Sequence, residues 1–582
     1  MGSIGEPTDS AKDLDYEVLV IGAGLSGILS LYRLRELGFR VRVFEAGSGA
    51  DPGARFDSES YSYQFTFSQE VLNEWNWTEH FAGQPEILAY INFLCDKFDL
   101  RSDIQFHTKV TTAHFDQSNN SWRVTDDEGK QYTSRWLITA IGFLSAPTLP
   151  NIPGVQDFKG EAHHTSRWPQ HPVKFENKRV GLIGTGATGQ YSVMYVERSI
   201  IYSDSAAAGI QCIQEIAKTA GHLTVFQRTP NWAVPLHNSP ISTEEMSTIR
   251  QDYPAIFDRC HRSYMNFLHM PEPLALSDVS QEQREAFWAD LYDNGRGFRL
   301  WLSNYRDVAF DKDANRICSD WIGDRIRQRV HDPDTAERLI PKNHGFGTKR
   351  VPMETGYYEA YNQPNVRLVD VTETPIQRID STGIQTSKET LDLDMLIYAT
   401  GFDAVTGAFD AMDIRGLDGL ALKDRWEGSP RTYVGMTVDG FPNMFMSMGP
   451  HQSYGNIPRS IEYAVTWITT ALAHFREKDV RYVEATAEGV EMWTQHVVDA
   501  AKGSLANEVD SWMTGLIGMW RASRRGLLIG IRGVRRGFGS SVMGLRMEGI
   551  VRSSWPEAGR SVMDGAGRVH LDRISVEMGC GR

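Results

Sequence analysis

Two glycine triplets carry the first chemistry that can be read. Gly22, Gly24 and Gly27 stand in DYEVLVIGAGLSGILSLYRLRELGFRVRVFEA, and Gly184, Gly186 and Gly189 in KRVGLIGTGATG. Glycines at this spacing let backbone amides close on a pyrophosphate at a helix N-terminus, where the dipole favours the anion. The end of the following strand then selects the ribose. Glu45 closes the first unit and can accept from ribose hydroxyls, whereas Gln227-Arg228 close the second, and an arginine there can pair with a 2′-phosphate. Two such sites on one chain suit electron transfer between two cofactors, FAD in the first unit and NADPH in the second.

The elements that must hold these turns follow from hydrophobic patterning. Val18 to Ile21 is a buried-strand run, Leu29, Leu31, Leu34 and Leu37 form a helical stripe, and Gly38 stops that helix before the strand VRVFE. A third run, DLDMLIYATGF at 392–402, is a strand whose glycine turn returns the chain to the first unit. The expected fold class is α/β, with two Rossmann-like dinucleotide-binding domains, the second inserted in the first, and a helical insertion. The FAD-binding domain is placed at 12–157 and 371–515, a linker at 158–169, the NADPH-binding domain at 170–370 with its helical insertion at 243–330, and a basic tail at 516–582. The insertion, with MNFLHMPEP and FWADLYD, is expected to shape the substrate pocket.

The bulk numbers exclude other classes. A net charge of −14 argues against nucleic acid as the main partner. No apolar run reaches a membrane span, and the N-terminus carries neither a signal peptide nor a myristoylation pattern. Cys95, Cys212, Cys260, Cys318 and Cys580 are scattered, without CxxC pairs, which suits a reducing, cytoplasmic setting and excludes a disulfide reductase and a CxxC zinc site.

Between the two units lies FKGEAHHTSRWP, residues 158–169. It holds no apolar period, Pro169 ends any helix, and it reads as a loop. Phe158, Gly160, His164, Trp168 and Pro169 resemble the FxGxxxHxxxW[P/D] fingerprint of type I Baeyer–Villiger monooxygenases. The related N- and S-oxygenating flavoenzymes, the alternative, share its first part and usually lack Trp-Pro. The likeness runs from about residue 15 to 515 and includes PGARFDSESYSY, GFGTKRVPMETGYYEAYNQPNVRLVD and GFPNMFMSMGP.

The resemblance implies a reaction and its residues. A ketone takes one oxygen atom from O2, through a C4a-peroxyflavin, and becomes an ester or lactone, with a place in secondary metabolism. Arg350 in GTKR matches the arginine beside the flavin and Asp57 in GARFD the carboxylate that positions it. Ser26, Glu45, Tyr63 and Val110 match FAD contacts. Arg55, Phe56 and Asp57, the run Gly184, Thr185, Gly186, Ala187, Thr188 and Gly189, and Gln227 and Arg228 match NADP contacts. Trp512 matches a tryptophan near the nicotinamide. His164 orients the linker, a hinge between the cofactor domains, without doing chemistry. An arginine suits the task because a group with a pKa above about 12 stabilises an anionic oxidant without protonating it.

Three stretches depart from the family pattern. Gly22 to Glu45 spans 23 positions and Gly184 to Gln227 spans 43, with the excess, QYSVMYVERSIIYSDSAAAG at 190–209, where a helix should begin. Codons for Gly189-Gln190-Tyr191 and Ala208-Gly209 permit splice signals, so this stretch reads as a translated short intron whose excision restores the NADP site. At Ala50-Asp51 about ten aromatic-rich residues that cover the flavin are missing. Residues 516–582 carry 12 Arg, no Lys and 5 acids, a net +7 against −21 for the rest. A one-base shift at Met519 to Ser523 gives Asn-Val-Glu-Gly-Lys, the family's continuation, so the tail reads as out of frame and disordered. Together these departures also admit an inactive flavoprotein relative.

Overall fold

A computed structural model describes residues 14–47, 55–169, 171–186, 192–196, 199–203, 208–263, 265–452, 455–509 and 568–571. Two parallel-centred sheets organise the chain. The first has eight strands. Its centre is Tyr16–Ile21, flanked by Val41–Phe44 and Gln131–Thr139, both in parallel. It is completed by Ile104–Gln105, Val110–Asp116 and Ser121–Asp126 from the N-terminal region and by Asp413–Arg415 and Met444–Met446 from much later in the chain. The second has five parallel strands in the order Val366–Asp370, His222–Gln227, Arg179–Ile183, Met395–Tyr398 and Glu161–His164. Continuous apolar runs such as VLVI and MLIY are buried on both faces, as such strands require.

Two sequence expectations are corrected here. The second sheet extends to Tyr398, so the boundary drawn at 370/371 falls near 399; Met395–Tyr398 pairs with Arg179–Ile183 and cannot be assigned to the first sheet. The fingerprint is not all loop, since Glu161–His164 forms the edge strand beside Met395–Tyr398. Its polarity misled because an edge strand is defined by its partner, here more than 200 residues away.

The two crossings between sheets are alike in sequence. Ala140-Ile141-Gly142-Phe143 leaves the first sheet and Ala399-Thr400-Gly401-Phe402 leaves the second, with Gly142 at φ +73° and Gly401 at φ +81°. They run side by side: the Thr148 amide donates to the Gly401 carbonyl at 2.9 Å, the Asp403 amide to Ala146 at 2.8 Å, and the Thr400 hydroxyl to Thr148 at 2.5 Å.

Helices follow from their caps and stripes. Leu25–Glu36 buries Leu29, Leu31 and Leu34 against Ile457–Glu477, but Leu37, expected in the stripe, lies past the end and is exposed. The helical insertion holds Thr243–Arg262, Gln281–Asp293, Arg299–Leu302 and Lys312–Arg329, with Ser242, Ser280 and Asp311 capping the three longer helices through side-chain oxygens. Of the tail, Arg568–Leu571 forms a strand parallel to Tyr482–Ala485, which corrects the expectation of a wholly disordered segment. Strand addition is sequence-tolerant because main-chain groups supply the bonds. Residues 510–567, Trp512 among them, and 572–582 lie outside the described residues, as does Ala50-Asp51.

Candidate active site

The first glycine turn is tight where backbone must meet backbone and open where a ligand must enter. A Cβ on Gly22 would sit 2.4 Å from the Ala140 carbonyl, and one on Gly27 1.9 Å from the Gly22 carbonyl, whereas Gly24 has nothing within 4 Å. Gly24 caps Leu25–Glu36 with no side-chain bond to the helix amides and no acid in the first turn. This donor set fits a pyrophosphate. Glu45 accepts from the Ala23 and Gly47 amides, each at 2.7 Å, which aims its carboxylate at the turn. Ser26 is buried with its hydroxyl 2.9 Å from that of Ser447. Val110 opens its strand, buried with Leu19 and Ile21.

The second turn repeats this frame. Gly184 has φ +110°, beside +101° for Gly22, and its Cβ would lie 2.4 Å from the Ala399 carbonyl. Gly22 donates to Phe44 at 2.7 Å and Gly184 to Phe226 at 3.0 Å. Gln227 stands where Glu45 stands in the first unit. It is buried, its Oε1 lies 3.2 Å from the Thr185 hydroxyl, and its amide donates to Arg338 at 2.8 Å. Arg228 is exposed and has no ion-pair partner among the described residues. Gly186 is described; Ala187, Thr188 and Gly189 lie outside the described residues.

The structure brings together residues 293 positions apart. Arg350 Nη2 reaches Asp57 Oδ2 at 2.9 Å, with the carboxylate fully buried and the arginine side chain 11% exposed. The guanidinium lies over the Phe298 ring at 4.4 Å and near Trp301 at 5.8 Å, and its Nη1 donates to the Val351 carbonyl at 2.9 Å. Gly297, at φ +54°, lets this loop close on the site: a Cβ there would meet the Phe81 ring at 2.6 Å and the Asp57 carbonyl at 2.8 Å. Phe56 packs edge-on to Tyr63 at 4.7 Å. Arg55 pairs with Glu79 and donates to the Phe81 carbonyl, and Asn238 braces the same Glu79 at 2.6 Å.

A polar cluster beside Asp57 escaped the sequence reading. His269, in MNFLHMPEP, lies 3.1 Å from the buried Glu59. Burial would raise the Glu59 carboxyl, but His269, a backbone hydrogen bond and His80 together hold it below its ordinary value. His80 lies 2.7 Å from Arg296 and 3.0 Å from Glu245, and burial, with Arg296, pushes its pKa down. The only local signal was Glu59, two positions beyond Asp57; the partners come from the helical insertion.

The fingerprint residues share one structural task. The Phe158 ring folds over Gly160, whose Cβ would meet it at 2.4 Å and the Asp394 carbonyl at 2.8 Å. His164 Nδ1 accepts from the Ser166 amide at 3.1 Å, and its ring stands edge-on to Phe402, 6.0 Å away, at the second crossing. Its Nε2 is buried without a hydrogen-bond partner among the described residues. Trp168 is buried near His163 and Phe175, and Pro169 follows it out of the core.

Two parallel-centred sheets, each with a glycine turn, together with a buried arginine–carboxylate pair define a two-dinucleotide oxidoreductase. A family pattern described as FMO-like, flavin-binding monooxygenase-like, matches residues 15–200. The chain is 40% identical over 521 residues to the 2-oxo-Delta(3)-4,5,5-trimethylcyclopentenylacetyl-CoA monooxygenase of Pseudomonas putida, over 87% of this chain and 92% of that one. It is 38% identical over 515 residues to the cyclohexanone 1,2-monooxygenase of Acinetobacter sp., over 87% and 91%. A crystal structure of OTEMO in complex with FAD and NADP superposes with a TM-score of 0.84 at 39% identity, over 92% of this chain and 98% of that chain. The chain belongs to the type I Baeyer–Villiger monooxygenase family. Among the described residues no helix is long and apolar enough to cross a membrane.

Proposed function

We propose that this chain is an FAD-containing, NADPH-dependent Baeyer–Villiger monooxygenase. A ketone, O2, NADPH and a proton give an ester or lactone, water and NADP+. The observation that carries the reading is the buried Arg350–Asp57 pair, roofed by Phe298 and Trp301, in a chain with two dinucleotide turns. Gly22, Gly24, Gly27, Ser26 and Glu45 would hold FAD, with Tyr63 and Val110 beside it; Gly184, Thr185, Gly186, Gln227 and Arg228 would hold NADPH, with Arg55 nearby. Bound FAD supplies the redox chemistry that takes electrons from NADPH and activates O2.

The protein's own part is electrostatic. Asp57 fixes the Arg350 guanidinium in one orientation, and the Phe298 ring covers it, so its charge acts in a site shielded from water, where a preorganised donor is worth most. A guanidinium stabilises a developing anion by charge and directed hydrogen bonds without quenching it, which suits Arg350 to this role. Gln227 puts an amide where Glu45 puts a carboxylate in the first unit, which removes that repulsion of a 2′-phosphate, and the exposed Arg228 beside it is the cation that would pair with one. The described cysteines are free and buried, with Cys95 and Cys260 pushed up by burial to about 11; free, scattered cysteines suit a reducing, cytoplasmic setting.

The test is incubation of the purified chain with FAD, NADPH, O2 and a panel of cyclic and aryl ketones. Products one oxygen atom heavier than the ketone, formed one per NADPH oxidised, are expected. FAD-loaded protein that gives no such product across the panel would overturn the reading.

A further inference from the structure

We infer that Gly209, not Gly189, is the third glycine of the second dinucleotide turn, so that this fingerprint is split into Gly184-Thr185-Gly186 and a distant Gly209. The inference rests on the proposed NADPH site. In the first turn the third glycine is recognised by what it touches: Gly27 lies in the opening turn of Leu25–Glu36, and a Cβ on it would meet the Gly22 carbonyl oxygen at 1.9 Å and its carbon at 2.9 Å. In the second turn the residue that makes this approach is Gly209, whose Cβ would meet the Gly184 carbonyl oxygen at 2.5 Å, its carbon at 3.3 Å and the Thr185 Cα at 3.4 Å.

The elements around Gly209 agree. The helix that follows the second turn is Ala208–Ile216, and Gly209 opens it as Gly27 opens the first. Ile28 and Ile210 come next and both are buried. Eighteen positions separate Gly27 from Glu45, and eighteen separate Gly209 from Gln227. Ahead of this helix, Ser192–Val196 and Ser199–Ser203 pair as an antiparallel hairpin, so chain is carried out of the turn between its second and third glycines. A backbone carbonyl cannot yield to a new methyl group as a flexible side chain can, so this approach selects glycine. The extra residues thus leave the motif complete in three dimensions though broken in sequence, and excision is not needed to restore it.

The test compares Gly209→Ala, Gly189→Ala and a deletion of residues 187–206, which keeps Ala207-Ala208-Gly209, in the full FAD-loaded chain. Three quantities are read: the thermal midpoint without nucleotide, its rise on adding NADP+, and FAD content. Gly209→Ala should lower the midpoint and reduce NADP+ affinity at least tenfold with FAD content unchanged. Gly189→Ala and the deletion should leave affinity within about twofold of the parent. A loss on Gly189→Ala, no effect of Gly209→Ala, or a large gain on deletion would each overturn the assignment. A parent whose midpoint does not respond to NADP+ would instead defeat the nicotinamide-site reading, while the nucleotide-free midpoints still decide which glycine packs on Gly184.

Discussion

At the scale of single residues, the Arg350–Asp57 pair makes opposite demands on its two members. Replacing Arg350 with Ala removes the charge aimed into the site and strands a buried carboxylate. Product formation should fall about 100- to 1,000-fold, and stability should drop by about 3–5 kcal/mol, with FAD content retained; product assays and urea titration check the two parts. Unchanged product formation would remove Arg350 from its role. Asp57→Ala should keep FAD and still impair turnover, because the guanidinium loses the partner that orients it. Arg228 stands on different ground, exposed at a strand end. Arg228→Ala should raise KM for NADPH about ten- to hundredfold, the worth of a hydrogen bond to a charged group, and leave KM for NADH unmoved; equal effects on both nucleotides would count against its pairing with a 2′-phosphate.

At the scale of elements, the fingerprint acts as an edge strand with a locked entry. Gly160→Ala places a methyl group against both the Phe158 ring and the Asp394 carbonyl. It should destabilise by about 1–3 kcal/mol. Adding Phe158→Ala should restore little of that, since the Asp394 backbone stays where it is; full restoration in the double variant would show that the ring alone was the obstacle. The same segment shows what local sequence can and cannot reveal. The Gly22 turn was legible because its strand, glycines, helix stripe and Glu45 all lie within thirty residues. The Glu161–His164 strand was not, because EAHH holds only one small apolar residue, Ala162, and its partner is Met395–Tyr398. The His80, Glu59, His269 and Arg296 cluster was hidden for the same reason, as its members come from separate segments. Gly209 was hidden by an ambiguity of text: deleting 189–208 or 190–209 yields one and the same sequence, and only the contact with Gly184 tells the two glycines apart.

At the scale of the whole molecule, three buried histidines in three regions link folding to pH. Burial pushes His164 in the fingerprint down to about 4 and His451 near the end of the first-sheet segment down to about 4; burial, with Lys349 nearby, pushes His344 ahead of GTKR down to about 3. Each is neutral in the folded chain and takes up a proton on unfolding below about 6.5. Because the unfolded state binds more protons there, their stabilisation is full above that pH and is lost as pH falls toward 4. The expected loss is about 2 kcal/mol per histidine at pH 5, seen as a falling thermal midpoint between pH 7 and 5. His451→Gln, which keeps a hydrogen-bonding group near Thr432, should flatten that slope. An unchanged slope would show that His451 is not one of the groups that titrate on unfolding.

The paired crossings at Ala140 to Phe143 and Ala399 to Phe402 have a consequence for engineering. Each glycine turn abuts an alanine carbonyl at the head of one crossing, and the two crossings are hydrogen-bonded to each other. The second sheet is thus a cassette with both of its ends at one seam, and a relative's cassette can be grafted there without disturbing the first glycine turn. The graft carries pairing obligations across the seam, Glu59 with His269 and His80 with Arg296 among them. Asp57 stays with the recipient while Arg350 travels with the donor, so a chimaera functions only when the incoming cassette brings an arginine of matching reach. A library of such swaps would sort itself by these cross-seam pairings before any difference in substrate preference could be seen.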